Sequence, residues 1–72
     1  MLIATKDKFI LTESGTLCTE ASTLELAPGE WPDFISVVDE EGEGFLFQKV
    51  HVDEMGGSYQ TKGGALLMVW ND

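Results

Sequence analysis

The sequence predicts an all-β fold, with five or six short antiparallel strands in a curled sheet or a small, partly open barrel. Three observations lead there. Two β-rich runs, Phe34–Asp39 and Phe45–Val52, flank Glu40–Gly44, which contains no hydrophobe, and this is the pattern of a hairpin with a charged tip. Within the second run the hydrophobic phase changes. Phe45 and Phe47 share one face and Val50 and Val52 the other, so a bulge near Gln48–Lys49 would reunite them and curl the sheet. The third observation is Ala65–Trp70, six apolar residues too few for a core helix and bounded by Gly64 and Asn71.

Leu2–Thr5 and Phe9–Thr12 are apolar runs separated by Lys6–Asp7–Lys8. The connector lacks glycine, which favours one irregular strand or a loose turn over a tight hairpin. Glu13–Ser14–Gly15 is a turn. Thr16–Leu26 supports two readings. Leu17, Ala21 and Leu24 have helical spacing, and Ser22 with Glu25 matches a capping box. The β-branched Thr16, Thr19 and Thr23 favour strand instead, and strand is the expectation. A short helix around residues 16–26 would make the fold α+β.

Ala27–Glu30 is a Pro-Gly turn, and Pro32 holds Trp31 extended. Trp31 reads as a lid over one end of the core, or as an aromatic anchor on a binding surface. At the hairpin tip Asp39 can accept backbone N–H bonds, with Gly42 where positive φ is needed. Asp53–Gly57 reads as a loop, Ser58–Lys62 as a short polar strand near a sheet edge, and Gly63–Gly64 as the turn into the last strand. That strand is apolar on both faces. One face must meet the core and the other a second layer, another chain, or the wall of a closed barrel.

Seventy-two residues make one small domain, 1–72, with a marginal core. Cys18 is the sole cysteine, so no internal disulfide reinforces it, and no Cys/His cluster suggests structural zinc. Association into a dimer is the remaining device for stability. Thirteen acids against four lysines and no arginine give a net charge of −9. Such a chain repels nucleic-acid phosphates and anionic lipid, and suits a basic protein partner. No apolar run approaches membrane-spanning length, and a reducing cytoplasm is the expected compartment.

Chemistry is thinly represented. Asp39, Glu41 and Glu43 followed by Gly44 follow the first half of a calcium loop, but its twelfth position is Val50 rather than Glu. His51 and Asp53 share a strand face, enough for a polar stripe and too few for a metal site on their own. Cys18 has no base beside it in sequence, and no nucleophile elbow or phosphate loop is present. No cofactor, metal site or catalytic residue is therefore assigned. The expected function is a non-catalytic, cytoplasmic protein-interaction module, expected to form a homodimer, with a basic protein or a second copy of itself as partner. One form of it is a nucleic-acid mimic. The site expected is Asp39, Glu40, Glu41 and Glu43 for steering, with Trp31, Met68 and Trp70 for affinity. A ligand- or metal-binding barrel using His51 and Asp53 is the alternative, and a small enzyme using Cys18 or His51 the third reading.

Overall fold

The central hairpin sets the shape of the molecule. In the computed structural model, which describes Met1–Asp72, it pairs Phe34–Val38 (β4) with Gly44–Asp53 (β5). Asp39 closes the turn as its residue type demands. Its Oδ1 accepts the Glu41 and Glu43 amides at 3.0 and 2.9 Å, and Gly42 takes φ 87°. β5 pairs on its other side with Gly56–Gln60 (β6), and the register slips between Lys49 and His51. The bulge thus lies one residue beyond the expected place. It brings Phe45, Phe47 and Val52 to the inner face, and leaves Val50 as the extra, exposed residue.

The other strands are Leu2–Thr5 (β1), Ile10–Leu11 (β2), Leu17–Glu20 (β3) and Leu66–Trp70 (β7). Together they form one curled, open half-barrel of seven strands, in the order β1-β4-β5-β6-β7-β3-β2. Its curvature follows from connectivity. β1 and β2 are the two outermost strands, yet only Lys6–Phe9 join them. Seven flat strands would span about 29 Å, whereas the step from Thr5 to Ile10 reaches at most about 18 Å. The sheet must therefore bend until its edges approach.

Four pairings are antiparallel, but β1–β4 and β3–β7 are parallel. Leu2 meets Ile35 and Leu17 meets Leu67, contacts between distant segments that no local turn announces. Leu2–Leu11 is likewise two strands at opposite edges rather than one irregular strand. A 3₁₀ turn at Lys6–Lys8 crosses the opening and inserts Phe9 into the core. The buried Thr19 hydroxyl donates to the Lys8 carbonyl at 2.8 Å and ties this crossing to β3.

Thr16–Leu26 divides between its two readings. Leu17–Glu20 is strand, and Ser22–Leu24 is a single 3₁₀ turn. The capping box does not form, because the Ser22 hydroxyl donates to the Asp72 carboxylate instead. β6 is a central strand, not the edge strand expected around Tyr59. It begins at Gly56, inside the stretch that reads as loop. Gly57 belongs to the strand because a Cβ there would lie 3.0 Å from the Trp31 ring. The glycine makes room for the indole.

The core fills the concave side. Ile35, Val37, Phe47, Tyr59, Leu67 and Val69 are almost wholly buried there, with Ala4, Phe9, Ala21 and Leu24 completing it. Tyr59 keeps its hydroxyl satisfied by donating to the Pro32 carbonyl at 2.8 Å. Burial, with the nearby Asp33 charge, pushes this phenol up to about 12. No helix is long and apolar enough to cross a membrane.

Candidate functional site

Strand alternation places the even-numbered residues of β7 on the convex face, away from the core. No second layer covers them. Leu66, Met68 and Trp70 are 46%, 40% and 47% exposed, while Leu67 and Val69 between them are 0% and 1%. The register extends this row sideways. Met68 lies beside Cys18 of β3, and Cys18 beside Ile10 of β2, which is largely exposed. Cys18 is buried even on this outer face, flanked by two larger side chains. Leu66, Met68, Trp70 and Ile10 together leave several large apolar side chains in water on one face, and clusters of this kind are often functional. Ser58 and Gln60 of β6, with Gln48 of β5, separate them from a second group, Phe34, Leu46 and Val50.

Two groups of acids lie at opposite ends of the sheet, and the register places no carboxylate beside Met68, whose neighbours are Cys18 and Ser58 with His51 beyond. Asp39, Glu40, Glu41 and Glu43 sit on the β4–β5 tip at one end. Trp70 is at the opposite end, beside Glu20 in the β3 register and Gly56 in that of β6, which in turn faces Asp53. Asp72 and Glu54 are close by. Asp72 accepts the Ser22 amide at 3.0 Å, and the Glu54 carbonyl accepts Asn71 Nδ2 at 3.3 Å. The expected steering acids and the expected Trp70 anchor are thus a strand length apart. The acids that frame Trp70 are ones that sequence reasoning missed, since only the strand register gathers them.

Trp31 does not join Met68 and Trp70. It is half-buried, packs on the core and lies over Gly57, and so serves as the lid. Its carbonyl lies 3.4 Å from Lys49 Nζ, which also pairs with Asp33 at 3.1 Å. Lys49–Asp33 is the one lysine–carboxylate pair, leaving twelve of thirteen acids with no lysine in reach, Asp53 among them with its contact to the His51 ring.

Asp53 is held by geometry already in use. Its Oδ1 accepts the Met55 and Gly56 amides at 2.8 and 3.2 Å, and Oδ2 lies 3.3 Å from His51 Nε2. The Met55 amide, aided by Gly56 and His51, holds the carboxyl below its ordinary value. Ser22 does the same for Asp72 through its hydroxyl and then its amide. No group of three or more His, Cys, Asp or Glu side chains is placed to hold a metal ion, and the calcium half-motif spends Asp39 on its own turn. His51 and Cys18 lie three strand spacings apart in the register, about 14 Å, beyond any hydrogen bond. An apolar hollow of about 180 Å³ opens at the mouth of the half-barrel between Leu11, Leu17, Phe45 and Phe47, small beside typical ligand pockets. Comparison with known proteins finds no matching family model, no matching curated protein and no matching solved structure.

Proposed function

We propose that this protein is a non-catalytic interaction module of the cytoplasm that docks a basic protein through the convex face of β7. The observation that carries this reading is the alternation along Leu66–Trp70, where every second residue is half-exposed and apolar beside a fully buried neighbour. A neutral, apolar centre with acidic ends has the anatomy of an interface core and rim. The complementary surface has an apolar centre and lysine or arginine around it. The unpaired acids, including Asp39, Glu40, Glu41 and Glu43, steer such a partner from a distance, and Met68 and Trp70 supply affinity on contact. In this reading a nucleic-acid-binding protein is one suitable partner, with the acids standing where phosphates would.

Self-association through the same face is the second reading, favoured by the exposed apolar area alone. Two copies would each bring a charge of −9, so a basic partner fits the electrostatics better. Native mass by light scattering across a range of concentrations separates the two: a monomer is expected, and a stable dimer would transfer the face to self-pairing. Immobilised protein is then used to capture partners at low salt, beside a Met68→Glu/Trp70→Glu variant. Capture that falls with salt and is absent from the variant supports the reading. Equal capture by both proteins would remove the β7 face from it.

A further inference from the structure

β1 is the outermost strand on its side of the sheet and pairs only with β4. Its pairing with β4 uses one edge of Leu2–Thr5. None of the turn, loop or side-chain hydrogen bonds involves these residues. Alternate N–H and C=O groups therefore face outward unpaired. The usual guards are missing. Leu2-Ile-Ala-Thr5 holds no charge, no proline and no bulge, and Ile3 is 68% exposed. The opposite edge, β2, is only two residues long and offers far less backbone.

The two ends of this edge differ chemically. Beyond Thr5 lies a hollow of about 810 Å³ where Asp7, Asp39, Glu40 and Glu41 outnumber the single Lys6. Beside Leu2 lies one of about 500 Å³ walled by Met1, Leu26, Trp31 and Pro32, where Glu30 and the Met1 ammonium are the charges. A second copy fits poorly. Parallel pairing through β1 would set the acidic tips together, and antiparallel pairing would bring two chains of charge −9 edge to edge, the acids of each tip facing Glu30 and a single ammonium.

We propose that the free edge of β1 accepts an extended segment of a partner protein as an eighth strand, with an apolar side chain at the Leu2 end and lysine or arginine at the Thr5 end. Backbone hydrogen bonds supply affinity, and the two end hollows supply direction and selectivity. This surface is distinct from the β7 face, and neither proposal depends on the other.

The test selects binders to the full chain from a library of peptides about ten residues long, then follows amide hydrogen exchange residue by residue. Selected peptides are expected to carry basic residues at one end and to slow exchange at the outward amides of β1. N-methylation at alternate peptide positions should abolish binding, while methylation at the intervening positions leaves it. Glu40→Lys/Glu41→Lys, at exposed side chains that make no hydrogen bond, should weaken binding about tenfold without altering the circular dichroism spectrum. Peptides that instead protect Leu66–Trp70, or that tolerate methylation at every position, would overturn the proposal. So would concentration-dependent protection of β1 in the protein alone, which would make a second copy the occupant.

Discussion

The two faces of β7 are built from the same kinds of residue and live in different worlds. Leu67 and Val69 are sealed against Tyr59, Ile35 and Val37, whereas Leu66, Met68 and Trp70 stand half in water. Strand geometry alone decides which is which, since successive side chains point to opposite sides. Apolar character therefore says little about role here. The inner residues hold the fold, and the outer ones contribute little to it and remain free for contact with another molecule.

The sharpest way to break this contrast is to disturb the inner face. Leu67→Ala should lower the unfolding free energy by about 2–5 kcal/mol, as lost burial and a cavity add. Met68→Ala, one residue away, should change it by less than about 1 kcal/mol. Gly56→Ala is expected to cost about 4 kcal/mol or more, because φ is +148° and a Cβ would stand 2.1 Å from the Val69 carbonyl oxygen. Urea titrations of the three variants read these directly. Equal losses for Leu67→Ala and Met68→Ala would mean that the outer face is covered in solution.

Tyr59 sharpens the contrast through pH. Its phenol titrates near 12 when folded and near 10 when unfolded. The unfolded chain therefore releases its proton first as pH rises. Stability is intact below pH 10 and falls progressively between 10 and 12, by roughly 3 kcal/mol in all. Tyr59→Phe should flatten that alkaline loss. It should also cost about 1 kcal/mol at neutral pH, since the Pro32 carbonyl loses its donor. Unfolding curves at several pH values check both.

How much of this could be read in advance depended on whether a feature was local. The 34–53 hairpin, its Asp39–Gly42 turn and its bulge are written in consecutive residues, and they appear within one position of expectation. The two-sided apolar strand at 65–70 was equally plain. The separation of β1 from β2 was not, because parallel pairing with β4 across some thirty residues leaves no turn to read. Gly56 and Gly57 misled for a related reason. Glycine marks loops, but here it admits the Val69 carbonyl and the Trp31 ring to a central strand. Of the candidate site, Met68 and Trp70 were visible from alternation. The carboxylates around Trp70 come from three separate segments, and only the register brings them together.

A smaller effect bears on the edge of the core rather than its centre. Glu25 ends the 22–24 turn with φ 57° and ψ 34°, a left-handed conformation that strains any residue with a Cβ. Glu25→Gly should relieve this and raise stability by up to about 1 kcal/mol, less the extra entropy glycine loses on folding. A higher thermal midpoint at unchanged spectrum is the expected result. A lower one would mean that the entropy glycine loses on folding outweighs the relieved strain.

The smallest expected change is the one that matters most for function. Met68→Gln/Trp70→Gln removes apolar surface from the outer face and keeps side chains of useful length. Neither residue contributes to the buried cluster, so stability should move by no more than about 0.5 kcal/mol. Solubility should hold or improve, because the exposed apolar patch is broken. If the outer face is a docking surface, the same pair of changes should abolish capture of a partner that the parent protein retains at low salt. Stability and binding then separate along a single strand, the odd residues governing stability and the even residues binding. A loss of several kcal/mol would instead show that Met68 and Trp70 are structural, and that the contact face must be sought elsewhere, at Phe34, Leu46 and Val50.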